Sequence, residues 1–563
     1  MNRQRVKGRR AGLAAFAVLT GCQVAPLPGG ESGGAAAGNR NQTGLGAELL
    51  DARALTSPSV LPRYVTLGRT ASVSLNWAPV APQVWVSGRL LPSSRVGNVV
   101  SFVIPKPKLY PDGTLGGGWG GPQTLEVKDG LNLASRTTYV LGRAYLAADT
   151  LNTVMFLLPP GKTAADLTAI LQGDKVPITI TGFTPLGGPG LCAGSLAEGS
   201  YSGSTPSFET ILEQLDASAA RHPDLILSVN PRTTSSTGAD ALLSDMTPMK
   251  GADEVGAPRA ASRGLTGQGT LIAVLDTGVG QTAAGLAPFG TRLLPGQQFT
   301  AASQENGQLA KISGDDYSVA GVVVGHGTQV ASLAAGALYG VAQGADVLPV
   351  KVCDLAGRCR VSDVVRGVCW AMGRAEAQTR LGRLILNLSL GGDTGDFERD
   401  VLRAVLRQAG TLGVQIAASA GNDWDDYLNQ PIYEARQYPA ALDVAGLTAV
   451  GAVQKLASDP AHLRTSLYSV RGAWVDLLAP GTLVWASGPK GQGSSANQGT
   501  SFAAPLVAGG LALWRQKYPQ TSTLQLQNLM VRSASTQRVP SPDSVAEADP
   551  YKLTRMLDLF AVP

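Results

Sequence analysis

Charged and aromatic residues are scarce in this sequence of 563 residues, at 15% and 6%, and histidine occurs only three times. So little charge excludes a charge-rich disordered chain. A hydrophobic content of 44%, with 69 glycines and 35 prolines, favours globular domains that contain many turns. Because one hydrophobic core rarely serves a chain of this length, we expect about two to four domains.

The excess of basic residues is confined to one end of the chain. The formal net charge is +5, and all of it comes from five residues that precede residue 22: Arg3, Arg5, Lys7, Arg9 and Arg10. The remainder is close to neutral and has no basic stripe with interleaved aromatic residues. This distribution excludes nucleic acid as a partner.

Long apolar runs are lacking near the start, where the apolar stretch at 11–20 is too short to span a bilayer. Basic, apolar and small residues in this order predict a secretory signal peptide over 1–21. Residues 19–22, Leu-Thr-Gly-Cys, resemble the lipobox of bacterial lipoproteins, which implies a lipid on Cys22 that binds the membrane. An ordinary signal peptide with an incidental cysteine is the alternative. Residues 22–57 are then a lipidated flexible tether, and the protein is extracellular or in the cell envelope.

Four cysteines follow Cys22. Cys353 and Cys359 flank a short turn that contains glycine, and a location outside the cell lets a disulfide persist, so we predict a bridge between them. Two buried thiols are the alternative, and a zinc site is less favoured because no histidine lies near. Cys192 lies far upstream and Cys369 falls in an apolar helical pattern, so we expect both as free thiols of the core.

The first half of the chain predicts two small domains. At 58–150, short β-rich runs separated by turn residues favour a β-sandwich, whose role is either a spacer or a binding module. At 151–235, two strand–helix–strand patterns fit a small ferredoxin-like α+β module.

From 236 to 535 the pattern changes to an alternation of helical segments with continuous apolar runs. The apolar runs are at 271–275, 347–352, 384–388, 414–418 and 448–453. The alternation predicts an α/β fold with a parallel sheet covered by helices on both faces, and sites at the carboxyl ends of its strands. Residues 536–563 are a C-terminal segment without a predicted role.

Three segments of this region place reactive side chains where such sites occur. Asp276 directly follows the run at 271–275, and a Thr-Gly turn can hold its carboxylate against a donor or cation. His326, between two glycines, opens a helix. Ser501 opens another helix, where unpaired N–H groups and the helix dipole favour an oxyanion. Each segment alone also fits a turn, a helix start or a glycine-rich bend.

In the chain order Asp, His, Ser, these segments resemble the three signatures of the subtilase family of serine endopeptidases. The resemblance implies a subtilisin-like fold, a catalytic triad of Asp276, His326 and Ser501, and hydrolysis of protein or peptide substrates through an acyl-enzyme. Asn422, in a Ser-Ala-Gly-Asn segment after a buried run, matches the asparagine that donates to the oxyanion in the family. A turn asparagine is the alternative.

A further segment and several departures complete the resemblance. Ser389, Leu390 and Gly391 resemble the stretch with which subtilases pair an extended substrate. Gln329 stands where many members have a second histidine, and Leu506 stands where a histidine often follows the proline. Both positions surround the triad, as do the three valines at 322–324, so we expect them to affect specificity and local packing rather than catalysis. The stretch 281–324 is also longer than in compact members.

Subtilases commonly carry a small ferredoxin-like propeptide directly upstream of the catalytic domain. The resemblance therefore implies that the module at 151–235 is a propeptide and that the protein cuts itself within 230–256, although the pattern equally fits an accessory domain. It implies a monomer that requires no cofactor and has no metal in the active site. Calcium is common in the family, but the acidic residues at 315–316 and 423–426 do not make a dense ligand loop.

Two other functions stay open on the sequence alone. One is a catalytically silent surface protein that uses this fold to bind peptides, against which stand the four intact positions Asp276, His326, Asn422 and Ser501. The other is a structural envelope lipoprotein whose main role lies in the β-sandwich.

Overall fold

The computed structural model describes these parts of the chain: 59–105, 120–142, 145–146, 150–234, 245–280, 289–300, 318–319, 322–323, 325–395, 397, 400–422, 436–488, 493–534 and 556–559. The predicted signal peptide and tether, with Cys22, lie outside the described residues, as do the acidic residues at 315–316 and 423–426. In the described part of the chain, no helix is both long and apolar enough to cross a membrane.

Two β-sheets form the first domain, as the short β-rich runs predict. Their strands are β1 (Tyr64–Thr66), β2 (Thr70–Ser74), β3 (Gln83–Val86), β4 (Arg89–Leu91), β5 (Ser93–Val96), β6 (Val99–Val103), β7 (Gly121–Asp129) and β8 (Asn132–Leu141). One sheet has the order β1-β8-β7-β3-β4 and the other β2-β6-β5. Along β3, Val84 and Val86 are buried while Gln83 is exposed, so one face of the sheet turns inward. Inward side chains of both sheets share one core, which makes the domain a β-sandwich.

The second domain is a β-α-β-β-α-β module. It consists of β9 (Thr153–Leu158), α1 (Ala164–Gly173), β10 (Thr179–Pro185), β11 (Ser195–Ser200), α2 (Phe208–Arg221) and β12 (Ile226–Val229). The strands form an antiparallel sheet in the order β10-β11-β9-β12, which is the ferredoxin-like arrangement. Both helices begin at caps: Thr163 and Asp166 form a capping box before α1, and Ser207 accepts a hydrogen bond from the backbone of α2.

The third region carries the large sheet. It is preceded by β13 (Arg232–Thr234), which follows β12 at the end of the module's part of the chain. The strands of the third region are β14 (Leu271–Asp276), β15 (Gln297–Gln298), β16 (Ser318–Val319), β17 (Val322–Val323), β18 (Asp346–Lys351), β19 (Arg358–Arg360), β20 (Leu384–Leu388), β21 (Gln415–Ser419), β22 (Leu447–Leu456), β23 (Asp459–Thr465), β24 (Leu477–Pro480), β25 (Thr482–Ser487) and β26 (Gly493–Gln498). Its helices are α3 (Gly251–Glu254), α4 (Ala257–Ser262), α5 (His326–Ala335), α6 (Val361–Ala377), α7 (Val401–Thr411), α8 (Thr500–Lys517) and α9 (Thr523–Arg532).

The large sheet has the order β15-β18-β14-β20-β21-β22-β23, with β24 beside β22, and all of its pairings are parallel except that of β23. Every residue of the central strand β14 is buried. Its side chains alternate between two cores, one shared with α5 and α8 and the other with α6 and α7. Helices therefore cover both faces of the sheet, and the predicted α/β fold is confirmed.

Two disulfides are present among the described residues. The predicted bridge between Cys353 and Cys359 is one of them. The expectation of free thiols at Cys192 and Cys369 is wrong, because these two cysteines are also joined. They are 177 positions apart, and only the packing of the turn at Gly190–Ala193 against α6 brings them together.

The described residues belong to one compact unit that begins at Pro58. We refer to the sandwich and the module, 59–234, as the N-terminal region, and to the described residues from 245 onwards as the catalytic region. The last of these, at 556–559, add to the catalytic core: Leu557 N donates to Leu478 O (2.9 Å) and Leu559 N to Val255 O (2.8 Å).

Candidate active site

Asp276 ends the central strand β14 and is fully buried. The backbone N–H of Thr277 donates to its Oδ1 at 2.7 Å. A buried carboxylate needs such donors to remain ionised, and the turn that follows the strand supplies one from the adjacent residue.

His326 is the first residue of α5 and lies against that carboxylate. Its Nδ1 is 2.8 Å from Asp276 Oδ1, and both side chains are buried. The next residue must be glycine, because a Cβ at Gly327 would lie 2.1 Å from the carbonyl oxygen of Gly278. Gly327 N also donates to Thr277 Oγ1 at 3.0 Å, so the backbone on either side of the Asp–His contact is fixed.

Ser501 lies in the first turn of α8, directly after Gly499 and Thr500. Gly499 has φ +144°, a conformation that suits glycine and lets the chain turn sharply from β26 into the helix. The ring of Phe502 is 5.4 Å from the ring of His326, measured between centroids, so the start of α8 faces the histidine. The structure thus brings all three predicted triad residues to one edge of the sheet.

Asn422 follows the buried strand β21 and contacts the residue before the serine. Its Oδ1 accepts hydrogen bonds from Thr500 N (2.8 Å) and Thr500 Oγ1 (2.9 Å). Thr500 Oγ1 in turn accepts from Gly421 N at 3.0 Å. Because Asn422 Oδ1 accepts the bonds from Thr500, the donor nitrogen Nδ2 of the same amide is directed away from Thr500. These bonds fix the side-chain amide of Asn422 beside the first turn of α8, and its role as an oxyanion donor stays a prediction.

Ser389 joins the strand end of β20 to Ser501 by two reciprocal bonds. Ser389 Oγ donates to Ser501 O at 2.8 Å, and Ser501 Oγ donates to Ser389 O at 3.1 Å. Asn387 Nδ2 donates to Ser389 Oγ at 2.9 Å. The side chain of Ser389 is therefore part of the scaffold, and only its backbone is placed to meet a substrate. The neighbouring Leu390 is buried in the core.

The backbone of Gly391 is paired with a segment of the chain itself. Thr234 N donates to Gly391 O at 3.0 Å, and Gly391 N donates to Thr234 O at 3.2 Å. On its other side, β13 pairs antiparallel with β19. The last strand of the N-terminal region thus lies between two backbone edges of the catalytic region, in the position of an extended peptide. Burial, with Arg358 nearby, lowers the pKa of Arg232 in this strand below its ordinary value.

Lys351 is a buried residue of the site that sequence reasoning missed. It lies beside Asp276 in the register of β14 and β18, and its Nζ donates to Thr277 O at 2.8 Å. The carbonyl of Asp276 accepts from Val352 N (2.9 Å) and Cys353 N (3.1 Å), which fixes the backbone from the other side. One signal was available: this lysine interrupts an apolar run at 347–352.

Two departures from the family pattern lie in the helices that carry His326 and Ser501. Gln329 and Leu506 are both buried, Gln329 within α5 and Leu506 beside Gly251. Of the three valines at 322–324, the first two are among the described residues, and they form β17, which pairs with β16. Among the described residues, no group of three or more His, Cys, Asp and Glu side chains could hold a metal ion.

Comparisons with known proteins agree with this architecture. A family model described as the subtilase family matches residues 267–549. Alkaline elastase YaB of Bacillus sp. (strain YaB) is 32% identical over 290 residues, which are 51% of this chain and 64% of the elastase, less than two thirds of its length. Subtilisin BL of Lederbergia lenta is 32% identical over 291 residues, 51% of this chain and 91% of the relative.

One further relative and one solved structure complete the comparisons. Subtilisin-like protease 3 of Trichophyton equinum is 35% identical over 217 residues, which cover 38% of this chain and 50% of the relative. A solved structure of a cold adapted subtilisin-like serine proteinase is 28% identical and covers 52% of this chain and 89% of its own, with a TM-score of 0.39. On the family match over half of the chain, and on the likeness to nearly all of subtilisin BL, this chain belongs to the subtilase family of serine-type endopeptidases.

Proposed function

We propose that the protein is a lipid-anchored, self-processing subtilase that cleaves proteins outside the cell, with Ser501 as its nucleophile. The observation that carries this proposal is the buried contact of 2.8 Å between Asp276 and His326, with the serine-bearing helix facing the imidazole. A carboxylate on one imidazole nitrogen leaves the other as the base, which is the arrangement that activates a serine.

In the proposed reaction His326 takes the proton of Ser501 Oγ as the oxygen attacks a peptide carbonyl. Asp276 orients the imidazole and stabilises its charged form. The Nδ2–H of Asn422 and the backbone N–H of Ser501 then donate to the oxyanion, and the helix dipole of α8 favours the same negative charge. His326 returns the proton to the leaving amine, and water hydrolyses the acyl-enzyme with the same base.

Substrate binding is coupled to activation of the serine through Ser389. In an antiparallel pairing, the substrate residue two positions beyond the one opposite Gly391 lies opposite Ser389 and donates its N–H to the Ser389 carbonyl. That carbonyl accepts from Ser501 Oγ at 3.1 Å in this structure. A bound peptide therefore competes for the acceptor, and the hydroxyl is redirected towards His326. Because recognition uses the main chain, we propose broad sequence tolerance.

Self-processing is supported by the position of β13. This strand occupies the place of an extended peptide between Gly391 and β19, with Thr234 opposite Gly391. In that register the bond to be cut follows Thr234 within about three residues, inside the predicted range 230–256. The ferredoxin-like module that precedes the strand is then the propeptide, which inhibits the enzyme until the cut is made.

The proposed location depends on Cys22. Cys22→Ser is expected to convert a membrane-associated protein into one that is unprocessed at its signal or released, as measured by fractionation and by incorporation of a labelled acyl chain. A variant that fractionates with membranes and incorporates the label as the parent does would contradict lipidation at this residue.

The hydrolase centre is tested by labelling with a fluorophosphonate, which reacts with activated serines. We expect incorporation at Ser501 in the processed protein, and loss of labelling in His326→Ala, because without the imidazole the hydroxyl is a poor nucleophile. No incorporation at Ser501 would instead favour a silent peptide-binding protein.

A further inference from the structure

The disulfide between Cys192 and Cys369 crosses the boundary between the module and the catalytic region. Cys192 lies in the turn at Gly190–Ala193 that precedes β11, and Cys369 lies in the middle of α6. Both are fully buried. The turn approaches the helix so closely that a Cβ at Gly188 would lie 2.5 Å from the carbonyl oxygen of Cys369. The bond therefore lies inside a packed interface rather than on the surface.

Polar contacts extend the same interface. Asn230 Oδ1 accepts from Ser362 N at 3.0 Å in the first turn of α6, and Asn230 Nδ2 donates to Ser362 Oγ at 3.1 Å. Arg366 of α6 forms an ion pair with Glu198 of β11, and its Nη1 is 2.7 Å from Asp363 Oδ1. These contacts hold the module in place on the helix that carries Cys369.

The sandwich is attached to the module in turn. Asp216 of α2 is 2.9 Å from Arg63 Nε and accepts from Tyr64 Oη at 2.6 Å. Arg63 N donates to Glu213 Oε1 at 3.0 Å, also on α2. The whole N-terminal region, to which the lipid-bearing tether is joined in the sequence, is thus connected through the module to α6.

We infer that cleavage after Thr234 does not release the N-terminal region, because the bridge between Cys192 and Cys369 keeps it covalently bound as a second chain of the mature enzyme. The inference rests on the proposed self-processing, which supplies the cut. Cys192 stays on the N-terminal chain and Cys369 on the catalytic chain. The catalytic chain, although cut from its own anchor in the sequence, therefore stays on the membrane.

The linkage also affects inhibition. A cut propeptide held by a disulfide remains at a high effective concentration, of order millimolar for short flexible connections, so β13 returns to the substrate site after each dissociation. Full activity then requires destruction of the module or reduction of the bridge. In the reductive route a dithiol gives two electrons, both cysteines become thiols, and the dithiol becomes a disulfide. Because both sulfurs are buried, reduction of the native protein is expected to be slow.

The inference can be tested without relying on self-processing. In the full-length chain with Ser501→Ala, a recognition sequence for an unrelated, sequence-specific protease is inserted within 235–244 and cut in vitro. On a denaturing gel we expect one species of uncut mass without reductant and two fragments with it. Two fragments in the absence of reductant would overturn the inference.

Matched variants identify the bond. Cys192→Ala with Cys369→Ala is expected to separate after the cut without reductant, whereas Cys353→Ala with Cys359→Ala stays linked, since that bridge lies wholly within the catalytic region. If the first variant folds poorly, a non-reduced digest of the parent settles the matter: a peptide that joins Cys192 to Cys369 supports the linkage, and both cysteines found alkylated overturn it.

The wild-type protein separates this inference from the proposed function. A wild type that is never cut, beside a Ser501→Ala variant that stays linked after the inserted site is cut, would refute self-processing and leave the linkage intact. A wild type that is cut once, keeps an intact N-terminal region, and whose catalytic chain leaves the membrane without reductant would refute the linkage and leave self-processing intact.

Discussion

The catalytic region and the N-terminal region differ in how their functional contacts are made. In the catalytic region the contacts come from residues that directly follow strand ends or open helices, such as Asp276 and His326, and backbone groups of their neighbours fix them. The N-terminal region reaches the site through contacts between distant parts of the chain, such as Cys192 with Cys369 and Thr234 with Gly391.

The two kinds of contact therefore control different properties, namely the hydrolysis reaction and the access of substrates to the cleft. The groups proposed for peptide hydrolysis are specified by short local segments. The strand that fills the cleft and the contacts that keep the two regions together depend on pairing between residues far apart in the sequence. Changes in the first class should alter the rate of hydrolysis itself, whereas changes in the second should alter processing or stability and leave the chemistry of the mature enzyme unchanged.

The largest effect among the following predictions is expected from Asn422→Ala. Removal of the side-chain donor to the oxyanion is expected to lower kcat by about 10²–10³-fold with little change in KM, a magnitude that comes from a subtilisin. Conversion of the precursor should be slow for the same reason. Steady-state kinetics on a peptide substrate checks this, and a variant with wild-type kcat would remove Asn422 from the oxyanion site.

Gly327→Ala tests whether the backbone sets the Asp–His contact. The added Cβ would lie 2.1 Å from Gly278 O, so α5 must shift relative to Asp276. We expect a loss of about 10²-fold in kcat from misplacement of the imidazole, and a loss of about 1–3 kcal/mol in the free energy of unfolding.

The matched control for this change is Gly382→Ala, where an added Cβ meets nothing within 4 Å. It should leave kcat and the unfolding midpoint near their wild-type values. Equal effects of the two substitutions would show that the close approach at Gly327 is unimportant.

Thr234→Pro is expected to weaken the pairing of β13 with Gly391 and to leave the hydrolysis reaction itself unchanged. Proline removes the N–H that donates to Gly391 O at 3.0 Å, while Thr234→Val keeps it. One hydrogen bond contributes about 1 kcal/mol, so we expect processing of the proline variant to slow by about 5- to 10-fold and the valine variant to match wild type. The rate of precursor conversion measures this. Equal conversion rates of the two variants would contradict the proposal that β13 is paired with Gly391 when the chain is cut.

The smallest effect on hydrolysis is expected from a change in a carboxyl group at the boundary between the regions. Burial raises the pKa of Asp363 to about 7 from an ordinary 3.8, Arg366 and Arg360 oppose the shift, and Glu198 adds to it. The folded protein therefore binds this proton more tightly than the unfolded chain, so the group's contribution to stability is lost as the pH rises from about 4 to 7.

Asp363→Asn removes this dependence and keeps an oxygen that can accept from Arg366. Relative to wild type, the variant should have similar stability at pH 4 and higher stability above pH 7, as measured by urea unfolding across that range. Parallel stability curves for the two proteins would show that the raised pKa of Asp363 has no part in the pH dependence.

Elements with a strong apolar pattern could be predicted from the sequence. The continuous apolar runs correspond to β14, β18, β20, β21 and β22. Strands such as β7 and β11 have no such pattern, since polar and small residues dominate them and their pairing partners, rather than their own sequence, make them strands. Helix α5 begins at His326, where the sequence predicts a helix start.

The residues of the candidate site also differ in whether the sequence alone could predict them. The triad and Asn422 could be proposed from the sequence because each belongs to a short segment with a chemical reason for its neighbours. The bridge between Cys192 and Cys369, and the strand at β13, could not be predicted, since nothing in either partner's local sequence indicates the other. Such contacts are fixed only when the N-terminal region packs against α6.

The most direct test of self-processing is the amino terminus of the catalytic chain in wild type and in Ser501→Ala, determined by mass spectrometry in a host that lacks related proteases. The wild-type catalytic chain is expected to begin within a few residues of Thr234. Ser501→Ala is expected to remain a precursor about 25 kDa heavier than the catalytic chain, the mass of the upstream domains. A Ser501→Ala variant that matures at the wild-type rate, with the same amino terminus, would contradict the claim that this active site cuts its own chain.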